Sequence, residues 1–496
     1  MAHRTVLRSI FWVVLVASIG VSSGSAQNSQ NQTPAQPPSV QEPTKPAAPP
    51  DQAQPPEQPE VKITPRQAEE LFHSVDEILE FDSKQTGLPV KHNVKRKLTS
   101  RDEVVAYLTK HMNDEDTRRL RRSELVLKKF GLLPRNFDLQ TFLVALLKEE
   151  VAGYYDPKTK TVNLLDWVVP DLQRPVLAHE LTHALQDQSF GLDRWLKKGS
   201  EDLDTKKKII PDDIVTDENS EARQAVVEGQ AMVVLLDYML APMHRSVADS
   251  PEIVNTLNED MRAGTPDSVQ YRNAPIFLKE SLTFPYRYGV EFEAELLRRE
   301  GKEKAFDAPF QNPPRTSREI MEPDTYLAGE HLPPLPLPDF KKIFPGYERF
   351  DVGAIGEFDV DVLAEQYAGD AEAHRIFPHW RAGYYYSMHS KQNASGPLSL
   401  VFVSRWDSAK SAQQFAAIYA RGIQQRYKKM EAEPQSSLPA DLKTLASLGG
   451  DHTWSTEEGP VTVDVRSDTL LVMESLEPSA AAQFRQAVLG PSPAEH

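Results

Sequence analysis

Apolar and polar positions repeat with the helical period over three consecutive stretches in the first half of the chain. The segment SRDE at 100–103 has the spacing of a capping box, and the apolar stripe behind it predicts a helix over 104–112. The same period predicts helices over 115–130 and 138–150. Basic residues between 91 and 122 then read as the solvated faces of these helices, rather than as a surface for an anionic partner. The pattern changes at 151–165, VAGYYDPKTKTVNLL, where two short apolar runs flank an Asp-Pro-Lys-Thr turn and predict a β-hairpin. A helix follows from about residue 175, with Pro175 in its first turn. A long apolar helix covers about 220–240, with Asp217 or Asn219 as its cap.

The segment LPPLPLPDF at 332–340 breaks the pattern and marks a domain boundary near residue 345. Beyond it the alternation predicts a strand over 398–406 and a helix capped by Asp407 that runs to about residue 429. A hairpin over 461–465 and 469–473 turns around Ser467 and Asp468, and a last helix covers 479–488. The aromatic cluster HWRAGYYY at 379–386 reads as a strand packed on a helix. The expected fold class is therefore α+β: a helix-rich domain at 61–345, then a small α+β accessory domain at 346–490 without a catalytic motif. No repeat of solenoid type is visible.

Residues 1–26 have the layout of a secretory signal. Arg4 and Arg8 precede an apolar run over 10–21, and Gly24-Ser25-Ala26 offers small residues for cleavage. The run is shorter than the roughly 20 residues that cross a bilayer, so a cleaved leader is expected and no transmembrane helix in the mature chain. The expected location is periplasmic or extracellular. Residues 27–60 are Pro- and Gln-rich with almost no large apolar side chain, the composition of a disordered linker.

Composition narrows the chemistry. The chain has 496 residues, with 56 Lys and Arg against 72 Asp and Glu, a formal net charge of −16. An acidic balance argues against nucleic acid as partner, because neutralising phosphates needs a basic face. A mean hydropathy of −0.49 argues against many membrane spans. Cysteine is absent, which removes disulfides, thiol nucleophiles, Cys-ligated metals and lipid attachment through a cysteine. Any metal site must be built from His, Asp and Glu.

One such site is written at 176–186, VLAHELTHALQ. Four residues make just over one helical turn, so His179 and His183 leave the helix on one face, about 6 Å apart. Two imidazoles so placed can share one Zn2+ at about 2.0–2.1 Å each. Glu180 stands beside them as the general base, able to take a proton from a water acidified by the metal while that water attacks a carbonyl. This is the HExxH arrangement of zinc peptidases. A third protein ligand is needed. Gln186 and Ser189 occupy the places where HExxHxxGxxH would have Gly and His, so that route is closed. Glu228, a lone acid in AVVEGQA at 225–231, is the candidate, since an unpaired anion among apolar neighbours costs several kcal/mol and a metal ion would stabilise it. The alternatives are that it faces solvent or pairs with Arg223. Gly229 beside it would allow a close helix approach. Glu221, seven residues earlier, is the alternate ligand, or an acceptor behind a metal-bound histidine. Asp187 is another such acceptor, or simply a polar helix end. Six further histidines, His244, His331, His374, His379, His389 and His452, have no partner at ligand spacing.

The segments HELTHALQDQ, VAGYYDPKTKTVNLL before it and VVEGQA after it resemble the gluzincin-type zinc metallopeptidases. More narrowly, they are similar to prokaryotic exported or membrane-anchored metallopeptidases with HELTHALQDQ and a later VEG helix. The resemblance covers roughly 132–299, with FPYRYG at 284–289 as its weaker part. It implies a zincin-like catalytic domain with one zinc ion, Glu228 as third ligand and Glu180 as base. It also implies an edge strand beside the motif helix, for which the hairpin is the candidate, and a Tyr or His that stabilises the oxyanion, for which Tyr286, Tyr288 and Arg287 are in a suitable region. The acid common one turn after the ligand is replaced by Met232.

The expected function is an exported zinc peptidase acting on a peptide or protein. One rival is an amidase acting on cell-wall peptides. Another is a metal-stabilised envelope scaffold that binds partners without turnover.

Overall fold

The computed structural model describes residues 62–111, 114–151, 153–198, 209–264, 268–432 and 438–490. The expected leader at 1–26 and linker at 27–60 lie outside the described residues. The fold is α+β and helix-rich. The first helix among the described residues, α1 (Pro65–Thr86), is opened by a capping box in which Gln67 N–H donates to Thr64 Oγ1 and Thr64 N–H donates to Gln67 Oε1, and it ends at Gly87 in the left-handed region. Leu71, Val75, Ile78 and Leu79 form its buried stripe.

Strand β1 (Lys95–Thr99) is followed by α2 (Arg101–His111), α3 (Asp114–Phe130) and α4 (Leu139–Glu150), close to the expected spans. Ser100 and Glu103 form the predicted capping box, with Glu103 N–H on Ser100 Oγ and Ser100 N–H on Glu103 Oε2. The hairpin pairs β2 (Tyr154–Asp156) antiparallel with β3 (Thr161–Leu165), and β1 adds parallel to β3, giving the order β1-β3-β2.

The motif helix, α5 (Pro170–Phe190), begins five residues before the expected start. Pro170, not Pro175, occupies the first helical position, where a missing N–H costs nothing. Pro175 lies inside the helix. Gln173 explains why the extra turn holds: its side chain accepts from Leu165 N–H and donates to Leu165 O, tying the turn to the end of β3. A tertiary tie of this kind has no local sequence signature.

Helix α6 (Thr216–Leu240) also starts early, and neither Asp217 nor Asn219 caps it. Glu218 in its first turn is instead buried, accepting from Ser317 N–H and Oγ at 2.9 and 2.8 Å. With the three residues after it, α6 is long and apolar enough to cross a membrane, but 72% of its most apolar window is buried inside the protein. It packs along α7 (Ile276–Glu300), and the two meet at Gly229 and Gly289. A Cβ on Gly229 would collide with the Gly289 carbonyl and lie 2.8 Å from its Cα, so the crossing tolerates no side chain at this point. Helix α8 (Lys302–Gln311) follows.

Beyond residue 346 the described residues include a seven-stranded antiparallel sheet in the order β4-β5-β6-β10-β9-β8-β7. Its strands are β4 (Tyr347–Ala354), β5 (Trp380–Ser390), β6 (Ser399–Trp406), β7 (Met430–Ala432), β8 (Gly450–Thr456), β9 (Gly459–Arg466) and β10 (Thr469–Glu474). The aromatic cluster lies on β5. Helices α9 (Glu357–Ala368) and α10 (Ala409–Arg426) pack against this sheet. Ser408, not Asp407, caps α10; Asp407 accepts from Ser411 Oγ instead. Phe340 and Phe344, near the end of the proline-rich stretch, pack with Phe484 of α11 (Pro478–Leu489) over Tyr384 and Tyr386. The largest apolar core is continuous between the two parts of the chain: Phe130 of α3 sits edge-on to Tyr385 and Phe402.

Candidate metal centre

Helix α5 presents His179 and His183 from one face, as i,i+4 geometry requires, and α6 lies alongside with Glu228. The rings are perpendicular, with centroids 4.6 Å apart. His179 Nε2 is 3.0 Å from His183 Nε2 and 3.1 Å from Glu228 Oε2, and His183 Nε2 is 3.3 Å from the same oxygen. Ligand atoms around a tetrahedral ion with bonds of about 2.0–2.1 Å stand about 3.3 Å apart. The triangle therefore has nearly the size such an ion requires. Among the described residues it is the one cluster of three His, Asp or Glu side chains able to hold a metal ion, and all three are buried.

Charge agrees with geometry. Burial alone would push the Glu228 carboxyl up, but the His183 charge and the bonds from both imidazoles hold it at about 2. Burial would push His183 down; the Glu228 carboxylate lifts it to about 9 instead. His179, pulled down by burial and by the neighbouring His183 charge, sits at about 4. Without a metal the cluster is thus a carboxylate paired with a protonated imidazole, and a bound cation would take the place of that proton.

Glu180 is buried next to this triangle and pushed up to about 8 by burial, with Glu228 adding and His183 opposing. Its Oε2 accepts from the Tyr155 backbone N–H at 2.7 Å, and its Oε1 has no hydrogen-bond partner among the described residues. Strand β2 is indeed an edge strand beside the motif helix, yet its Tyr155 amide is spent on Glu180 rather than left for an added strand.

The other expected residues divide. Glu221 is buried on α6 but outside the ligand cluster, and Arg223 donates to the Trp195 carbonyl and covers that ring instead of pairing with Glu228. Asp187 does not stand behind either histidine. It accepts from the Tyr155 hydroxyl at 2.9 Å, pairs with Lys160 and accepts from Leu192 N–H, so it anchors the strand that holds Glu180. Tyr286 reaches the site, its ring lying over His179 with centroids 6.3 Å apart. Tyr288 does not: two residues further along a helix is about 200° of rotation, and its hydroxyl donates to Asp361 at 3.3 Å. Arg287 pairs with Glu280.

Two contributors carry no role in the sequence pattern. Gln186 Oε1 faces His183 Nδ1 at 2.9 Å, and Gln224 Nε2 donates to Glu228 Oε1 at 2.6 Å. Both lie one turn from a ligand, an i,i+3 and an i,i+4 spacing that could have flagged them. No family model matches the chain, and no curated protein or solved structure matches it either.

Proposed function

We propose that the protein is a zinc-dependent peptidase with Glu180 as general base. The observation that carries this reading is the convergence of one ligand atom each from His179, His183 and Glu228 within 4.8 Å, with Glu180 adjacent in the chain to one of them. Zn2+, bound by these three, supplies Lewis acidity toward a carbonyl oxygen and makes a water a stronger acid. Three protein ligands would be the set that a catalytic zinc ion uses when its fourth ligand is a water or substrate. Tyr155 N–H pins one oxygen of Glu180, so the other is the oxygen that takes the proton of the attacking water. As the carbon–oxygen bond forms and the carbon–nitrogen bond breaks, the same carboxyl returns that proton to the leaving amine. The substrate is a peptide or protein. We place the enzyme in the periplasm or outside the cell on the strength of residues 1–26; mature protein beginning at residue 27 on N-terminal sequencing is the expected result.

The near-complete burial of the triad favours one second reading, a metal that braces α5 against α6 without turnover. Glu180→Gln separates the two. The peptidase reading expects metal content unchanged and casein cleavage reduced by about 10²–10⁴-fold. Native protein carrying one zinc per chain, yet inert on casein and on envelope peptides, would leave the brace.

A further inference from the structure

Behind His183, on the side away from the ligand cluster, the hydrogen bonds have only one consistent direction. An amide side chain can present either its oxygen or its nitrogen, and its neighbours decide which. For Gln186 they leave no choice. The end remote from His183 lies 3.1 Å from the Val227 carbonyl oxygen, which can only accept, so that end is the NH2 group. The end 2.9 Å from His183 Nδ1 is therefore oxygen, and the ring nitrogen must donate to it. The second proton of the Gln186 NH2 meets Gln230 Oε1 at 3.0 Å. Gln230 is oriented in the same manner, its Nε2 donating to the Ala305 carbonyl at 3.0 Å. Both amides are fully buried, so water does not compete for these bonds.

We infer that Gln186 and Gln230 form a directional relay that holds His183 as the Nδ1–H tautomer and so presents Nε2, not Nδ1, to a metal ion. The inference rests on the reading of the triad as a metal site. Both glutamines are positioning residues. Val227 and Gln230 belong to α6, the helix that also supplies Glu228, so the relay ties the ring of one ligand to the backbone that carries another. Ala305 of α8 closes the chain of bonds at its far end.

The test uses the full chain and Zn2+, with affinity read by competition against a chromogenic chelator. Gln186→Met keeps the volume and removes the acceptor; it is expected to weaken zinc binding about 10–100-fold, the usual effect of losing such a partner. Gln230→Met should weaken it less, because Gln186 keeps the Val227 carbonyl. The double variant should be no weaker than Gln186→Met alone, since Gln230 acts only through Gln186. Losses that simply add, or a Gln186→Met protein within twofold of native affinity, overturn the relay. Should the variants fail to fold, nitrogen-15 spectra of the zinc-loaded native protein decide. Coordination of His183 through Nε2 with a proton on Nδ1 is expected, and coordination through Nδ1 overturns the inference. A native chain that takes up no zinc overturns the metal reading itself and the relay with it.

Discussion

Glu228 is held as an anion at 2% exposure, and among the described residues two imidazoles and the Gln224 amide offset the cost of burying it. Removing it deletes a ligand atom as well as the charge that lifts His183. Glu228→Ala should therefore weaken zinc binding by more than the roughly 10–100-fold that loss of a supporting partner costs, and the purified protein should lose most of its metal. Glu221→Ala, one helix face but no ligand atom in the cluster, should keep it. Metal analysis after gel filtration reads both, and the reverse pattern would mean that the wrong acid has been named. These ligands were legible because each breaks a rule: two histidines at i,i+4, and an acid alone in an apolar run. Gln186 and Gln224 break none. Glutamine is an ordinary helix former, and only the partner helix shows which way its amide must turn. The same blindness to direction put Tyr288 beside Tyr286 among the candidates, although a helix separates them by more than half a turn.

Helices α6 and α7 can approach closely because Gly229 faces Gly289, and Glu228 stands one residue from that crossing. Intrinsic propensity favours Gly229→Ala by about 1 kcal/mol, since alanine loses less backbone freedom in a helix. Packing opposes it. The added methyl would meet the Gly289 carbonyl and sit 2.8 Å from its Cα, both parts of a backbone that cannot swing aside. Overpacking typically costs about 1–3 kcal/mol, so the net effect should be destabilising, with lower zinc affinity as α6 is displaced. Urea unfolding of the metal-free protein and chelator competition read the two effects, and a more stable variant would refute the close crossing. Element existence was well marked where a cap and a stripe coincide, as at Ser100 and Glu103. Starts were misplaced where the deciding bond comes from elsewhere in the fold, as with Gln173 on Leu165 and Glu218 on Ser317. The whole of α1 escaped the sequence reading despite its Thr64–Gln67 box, which lies only a few residues after the proline-rich stretch that reads as unfolded.

Across the whole molecule, a buried carboxylate joins the helical part to the large sheet. Glu474 of β10 accepts from Tyr419 at 2.8 Å, Tyr427 at 2.7 Å and Arg426 at 2.9 Å, with Lys129 of α3 at 3.7 Å. Burial would raise this carboxyl, but the charges of Arg426 and Lys129 and the Tyr427 bond hold it below its ordinary 4.5. A depressed folded-state pKa gives stability that is complete above the ordinary carboxylate range and is lost as pH falls through the folded value. Asp82 acts in the opposite sense. It lies fully buried in α1 with no hydrogen-bond partner on either oxygen among the described residues, and burial pushes it well above its ordinary 3.8. Its contribution is complete below about 3.8 and declines as pH rises, because the unfolded chain can ionise and the folded one resists. Urea unfolding of the metal-free protein between about pH 3 and pH 8 should separate the two. Glu474→Gln should cost about 3–5 kcal/mol at neutral pH, the usual consequence of stranding a buried partner, and should flatten the acid limb. Asp82→Asn should leave the acid limb alone and reduce the decline toward pH 8. If both variants kept the native pH profile, neither carboxyl would be titrating across folding, and the junction around Glu474 would rest on the apolar contacts of Phe130 with Tyr385 and Phe402 and on ties such as Lys129 to Glu458 and Tyr367 to the Phe130 carbonyl.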